Sequence, residues 1–215
     1  MHAQLVRFTG LAGLALAGAS IALNGSVPSN SSSGAQAAAW FDDGPLQHVV
    51  AMWLASVAIL ALFFYMREIN TVLSHSDSGL NRAASSLSAI IATLLLIGSA
   101  PIMAGAITAH ELQKPLPAAS AEVFLHLGIG AYLVAVVALG IYLLLTGLCI
   151  LRTRAAPRVL GYCTVLGGAI ASAPIFGFLG LVVVLPLWVC FGTAWLLRNN
   201  AQQPPRSTGA TQPLA

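Results

Sequence analysis

The chain reads as long apolar runs broken by short polar punctuation, and the spacing of that punctuation predicts its elements. A helix needs ~20 apolar residues to cross a ~30 Å hydrocarbon layer, so uncharged intervals of that length mark spans. Phe8 to Phe41 is uncharged, but only Thr9 to Leu23 is strongly apolar; Asn24 to Ala39 is rich in Ser, Gly, Asn and Ala and reads as a loop. Gly44 to Met66, Ala83 to Ala109 and Val123 to Leu151 each predict one span. Val159 to Leu197 runs for 39 residues without a charge or a histidine. As one helix it would be about 58 Å long, so it must fold back, and Ser172, Pro174, Gly177 and Gly180 mark the turn. A re-entrant hairpin would also return the chain, but the interval suffices for two slightly short crossings, and two are expected. The predicted fold is all-α, an integral membrane bundle of six helices at about 6–23, 46–66, 86–108, 124–151, 159–174 and 178–197. The polar stretch 199–215, rich in Gln, Pro and Thr, is expected to be a disordered tail.

Composition agrees with this pattern and excludes other classes. Of 215 residues 58% are hydrophobic and 7% charged, against roughly 25% charged in soluble domains. No stretch is polar enough for a separate soluble domain. The net charge of +3 is spread in ones to threes along the chain, whereas a nucleic-acid reader concentrates its basic face. The basic residues instead set orientation. With the N-terminus in the cytoplasm, Arg7, Arg67, Arg82, Arg152, Arg154, Arg158, Arg198 and Arg206 lie inside and only Lys114 outside, and both termini are cytoplasmic. Arg7 followed by Leu11 to Leu23, with small residues at Ala17 to Ser20, also fits a secretory signal peptide. Its cleavage would leave five spans in the same orientation. Asn24-Gly25-Ser26 and Asn30-Ser31-Ser32 match glycosylation triplets that Ser-rich loops produce by chance. Cys149, Cys163 and Cys190 have no disulfide or zinc spacing and read as buried small apolar side chains.

Chemistry has few candidates. No Asp, Glu, Lys or Arg falls mid-span, and such residues ordinarily mark proton relays and ion paths. Pro101 and Pro186 can free backbone carbonyls toward a cavity, but kinks of this kind are frequent in membrane helices. Ionisable groups gather at the predicted outer ends: Asp42, Asp43, His48, His110, Glu111, Glu122 and His126. Glu122 and His126 are four apart, hence on one helix face, and a carboxylate beside an imidazole can orient the ring, raise its basicity or share a metal. The candidate catalytic set is therefore His126, Glu122, His110 and Glu111. No HExxH spacing accompanies it, no metal or cofactor is expected, and a structural or interfacial role is the stronger reading of the cluster, since span ends are where polar residues belong. Arg152, Arg154 and Arg158 read as a topological anchor, with a phosphate or anionic-lipid headgroup site as the alternative. Gly13 with Ala17, Ala100 with Ala104, and Gly161, Gly167 and Gly168 suit close helix packing. Trp40, Phe41 and Trp195 read as interfacial anchors.

The stretch Gly140-Ile141-Tyr142 to Gly147, then Arg152-Thr153-Arg154 and Pro157-Arg158-Val159-Leu160-Gly161, carries a further pattern. A glycine and an aromatic sit in one helix, a second glycine follows, and a short basic loop leads to Pro-Arg-x-Leu-Gly at the next helix start. It resembles the bacterial multi-pass membrane family catalogued as domain of unknown function 4386, with Pro157, Arg158, Leu160 and Gly161 matching residue for residue. Two features depart from that pattern: the sixth helix lacks an acidic residue, and the first loop is rich in serine. The resemblance implies a multi-pass bacterial inner-membrane protein and brings no catalytic residues. The expected role is a non-enzymatic component whose partners are the lipid bilayer and other membrane subunits or a second copy of the chain, and not nucleic acid. One alternative is a membrane-embedded enzyme acting on a lipid or isoprenoid through the outer cluster. Another is a transporter of small apolar solutes.

Overall fold

The computed structural model describes residues 2–29, 32–74, 78–173 and 180–201, and all regular structure among them is helical. The helices are α1 (His2–Asn24), α2 (Gly34–Asp42), α3 (Pro45–Leu73), α4 (Ser78–Leu112), α5 (Ala118–Thr153), α6 (Arg158–Ser172) and α7 (Leu185–Ala201), with a π-helical turn, Gly180–Val184, leading into α7. Helices α3, α4 and α5 are each long and apolar enough to cross a membrane; Phe8–Asn24, Arg158–Ser172 and Val182–Arg198 are shorter apolar helices. This composition suggests a membrane protein.

Helices α3 to α5 extend past the apolar runs that predict them, because their polar ends stay helical. Thus α3 continues through Arg67, Glu68 and Asn70 to Leu73, and α4 begins at Ser78. Helix α6 stops at Ser172 and helical form is seen again from Gly180; Pro174 and Gly177, expected at a turn, lie outside the described residues. The tail beyond residue 201 lies outside them as well.

A correction concerns the first loop. Its second half is α2, because Ser33 and Gln36 form a reciprocal capping box and Gly34, Ala37, Ala38 and Phe41 bury one face. Serine content signalled a loop, yet one serine in the right place starts a helix. Phe41, expected as an interfacial anchor, is fully buried.

Successive long helices pack on their neighbours in chain order, α1 on α3, α3 on α4, α4 on α5 and α5 on α6, and α7 returns against α1. Small residues set the crossings. A Cβ on Gly128 would meet the Gly98 carbonyl oxygen at 2.8 Å, and one on Gly147 would meet the Val165 amide nitrogen at 2.8 Å. Gly140 lies against the Ser172 backbone, and a Cβ on Gly168 would meet the Gly140 carbonyl oxygen at 2.7 Å. Ala100 and Ala104 are exposed, so the packing face of α4 runs through Gly98 and Gly105 instead. The core has two parts. At the α2 end, Phe41, Met52, Ile102, Leu116 and Leu125 cluster; toward the arginine-bearing end, Tyr65, Tyr142, Leu143, Trp188 and Val189 belong to a second cluster.

Candidate functional sites

At the α2 end, the sequence-predicted residues separate into two groups. His48 is buried, with Nε2 donating to the Trp40 carbonyl at 2.8 Å and Nδ1 3.2 Å from Asn24 Oδ1. Its ring lies 4.0 Å from that of Trp40. Trp40 Nε1 donates to the Asn24 carbonyl at 3.4 Å, and Gln47 Nε2 donates to the Leu23 carbonyl. These bonds fasten the ends of α1, α2 and α3 together. Both ring nitrogens of His48 are occupied, so the residue acts as a clasp. Trp40, expected as an anchor, and Asn24, noted in the sequence only as the start of a chance glycosylation triplet, complete it.

Glu122 and His126 form the second group. Their nearest atoms, Oε1 and Nδ1, are 4.0 Å apart, with side chains 48% and 37% exposed. An exposed i,i+4 pair of this length contributes about 0–1 kcal/mol. The other ring nitrogen, Nε2, is turned inward, where it is buried without a partner. Glu122 Oε2 lies beside Gly34, 3.0 Å from where a Cβ there would stand, so its charge faces the N-terminus of α2, where a carboxylate is favoured. His110 and Glu111 sit exposed at the end of α4, with no hydrogen bond or ion pair to Glu122 or His126 among the described residues. Among those residues, no three His, Cys, Asp or Glu side chains gather closely enough to hold a metal ion.

The centre of the second core cluster is aromatic. Trp188 makes edge-on contacts with Tyr65 and Tyr142, at 5.5 Å and 5.8 Å between ring centroids. The Tyr65 hydroxyl donates to the Val189 carbonyl at 3.0 Å, and that of Tyr142 lies 3.4 Å from both the Met66 carbonyl and Asn70 Oδ1. Asn70 Nδ2 and Thr146 Oγ1 are buried nearby without partners. Sequence reading named Tyr142 only as the aromatic of the family pattern and passed over the rest of this knot, because partners on three separate helices leave no local signal.

Residues 9–198 match the family model described as Domain of unknown function (DUF4386). The chain belongs to that family. No curated protein and no solved structure gives a significant match. Membership in DUF4386 assigns no residue a role, so the chemistry rests on geometry.

At the opposite end from α2, this DUF4386 chain has a groove of about 720 Å³ between the α5–α6 connection and α7. Arg154 and Arg198 line it together with Val159, Cys163, Phe191 and Trp195. Arg154 terminates α5 in the left-handed conformation, φ 54°, its amide bonded to the Ile150 carbonyl. Cys163 and Cys190 are exposed and Cys149 is buried, a correction to the expectation that all three are interior: the helix period turns the first two outward among apolar neighbours.

Proposed function

We propose that this DUF4386 protein is a six-span bacterial inner-membrane protein with both termini cytoplasmic, acting as a non-enzymatic component that binds lipid or a partner subunit. The observation that carries the reading is the aromatic packing among α3, α5 and α7. Tyr65 and Tyr142 are fully buried and Trp188 nearly so, filling the space between α3, α5 and α7 and weighing against a path for small solutes. Large apolar side chains point outward along the helices, among them Phe64, Ile97, Val134 and Leu166. Surfaces of that kind suit lipid or another membrane helix. Orientation rests on eight of the nine basic residues falling on one side of the six-span arrangement.

A second reading has one observation in its favour. The buried, unpartnered Nε2 of His126, with Glu122 beside Nδ1, has the form of an imidazole oriented by a carboxylate. On that reading the protein transforms a lipid or isoprenoid by acid–base chemistry, with His110 and Glu111 brought in by motion of the helix ends. Complementation of a gene deletion separates the two. The non-enzymatic reading expects His126→Ala, Glu122→Gln and His110→Ala each to restore the phenotype, any loss following protein abundance. Loss in all three at normal abundance, with little further loss on combining them, would overturn it in favour of the enzyme.

A further inference from the structure

We infer that the groove between the α5–α6 connection and α7 holds one anionic phospholipid, with Arg154 and Arg198 on its phosphate and its proximal acyl chain along Phe191, Cys163 and Val159. The inference rests on the six-span reading, which puts this groove at the cytoplasmic surface of the bilayer.

Charge complementarity selects the occupant. Two arginines line the groove and no Asp or Glu does; among the described residues no carboxylate engages either one. An arginine fork matches a phosphate in shape and charge. The rest of the lining is apolar and part of it is open to the outside: Val159 and Phe191 are 74% and 58% exposed. A free phosphate would leave that wall uncovered, whereas a lipid covers both kinds of surface at once. The volume, about 720 Å³, is in the range of small-molecule sites. The segment that follows α7 in sequence is a poor rival, since residues 202–215 add Arg206 and no Asp or Glu.

The arrangement divides the basic residues in a way the positive-inside pattern does not. Arg154 and Arg198 line the groove and Arg158 does not. The test compares retention of phosphatidylglycerol by the full-length protein in detergent, measured by native mass spectrometry. The wild type is expected to keep one phosphatidylglycerol in preference to phosphatidylcholine. Arg154→Gln with Arg198→Gln should weaken that retention about thirtyfold, from two basic contacts at their usual worth near an anionic surface. Arg67→Gln with Arg158→Gln, which removes the same charge elsewhere, should leave retention near wild type. Arg198→Gln alone, an exposed change with little risk to folding, should weaken it about fivefold.

Equal loss in both double variants, or equal retention of phosphatidylcholine, would overturn the site. Displacement by sn-glycerol 3-phosphate at comparable concentration would make it a simple anion site and overturn the lipid assignment. A cysteine at Ala155 reports the topology independently. External labelling there would sink the six-span reading while the detergent measurement still decides the groove.

Discussion

The phenol of Tyr65 on α3 donates to the backbone carbonyl of Val189 on α7 at 3.0 Å, joining two helices separated by most of the chain. Gly192 lies against the same oxygen: a Cβ there would collide with the Tyr65 hydroxyl, while the next ring atom, Cζ, would be 3.5 Å away. A hydroxyl satisfied by a carbonyl can remain buried among apolar side chains, and a glycine one turn on lets it approach.

Removing that oxygen should therefore rescue the clash it causes. Tyr65→Phe alone is expected to cost about 1 kcal/mol, the net worth of a hydrogen bond. Gly192→Ala should cost about 1–3 kcal/mol through overpacking. The double variant should be more stable than additivity allows, because the phenylalanine ring leaves room for the new methyl. Melting temperatures in one detergent measure the cycle, and strict additivity would mean that α7 shifts to absorb the methyl.

The α5–α6 contact should tolerate no bulk. Gly140→Leu and Gly147→Leu each push a side chain into the facing helix, against Ser172 and Val165 respectively, and each should lower stability by at least about 1–3 kcal/mol and reduce folded yield. Gly130, with nothing within 4 Å of its Cβ position, provides the contrast: Gly130→Ala should leave stability unchanged or raise it by up to about 1 kcal/mol. Equal behaviour of all three would place α6 away from α5.

The docking of α2 predicts a graded series. Phe41→Ala empties a fully buried site beside Gly105 and Phe124 and should cost about 3–5 kcal/mol. Ser33→Ala removes the capping oxygen and should cost about 0.5–2 kcal/mol. Both should increase protease cleavage between α1 and α3, with Phe41→Ala the more sensitive. Indifference of cleavage to Phe41→Ala would show that α2 does not close this end.

Topology is read by single cysteines at Ser33, Ser78, Gln113 and Ala155 in a background without the native three. An impermeant reagent should label Ser33 and Gln113 in intact cells, and Ser78 and Ala155 only after the membrane is opened. External labelling of Ala155 would reverse the assignment.

The sequence alone determined the helical class, because apolar runs of this length are too long for strands and read as helices. The motif from Gly140 to Gly161 was enough to point to the family. Helix α2 was missed because nine residues bearing one apolar face give a weak signal inside a Ser-rich stretch, and capping is a matter of position, not composition. Only tertiary structure distinguished His48, bonded at both ring nitrogens, from His126, with one nitrogen buried and bare, since both are histidines near span ends. It likewise brought Tyr65 to Val189 and placed Arg154 and Arg198 on one groove. Those partners lie 124 and 44 positions apart, and contacts at such separations are fixed by how helices cross, which depends on small residues meeting backbone across the bundle rather than on any local pattern.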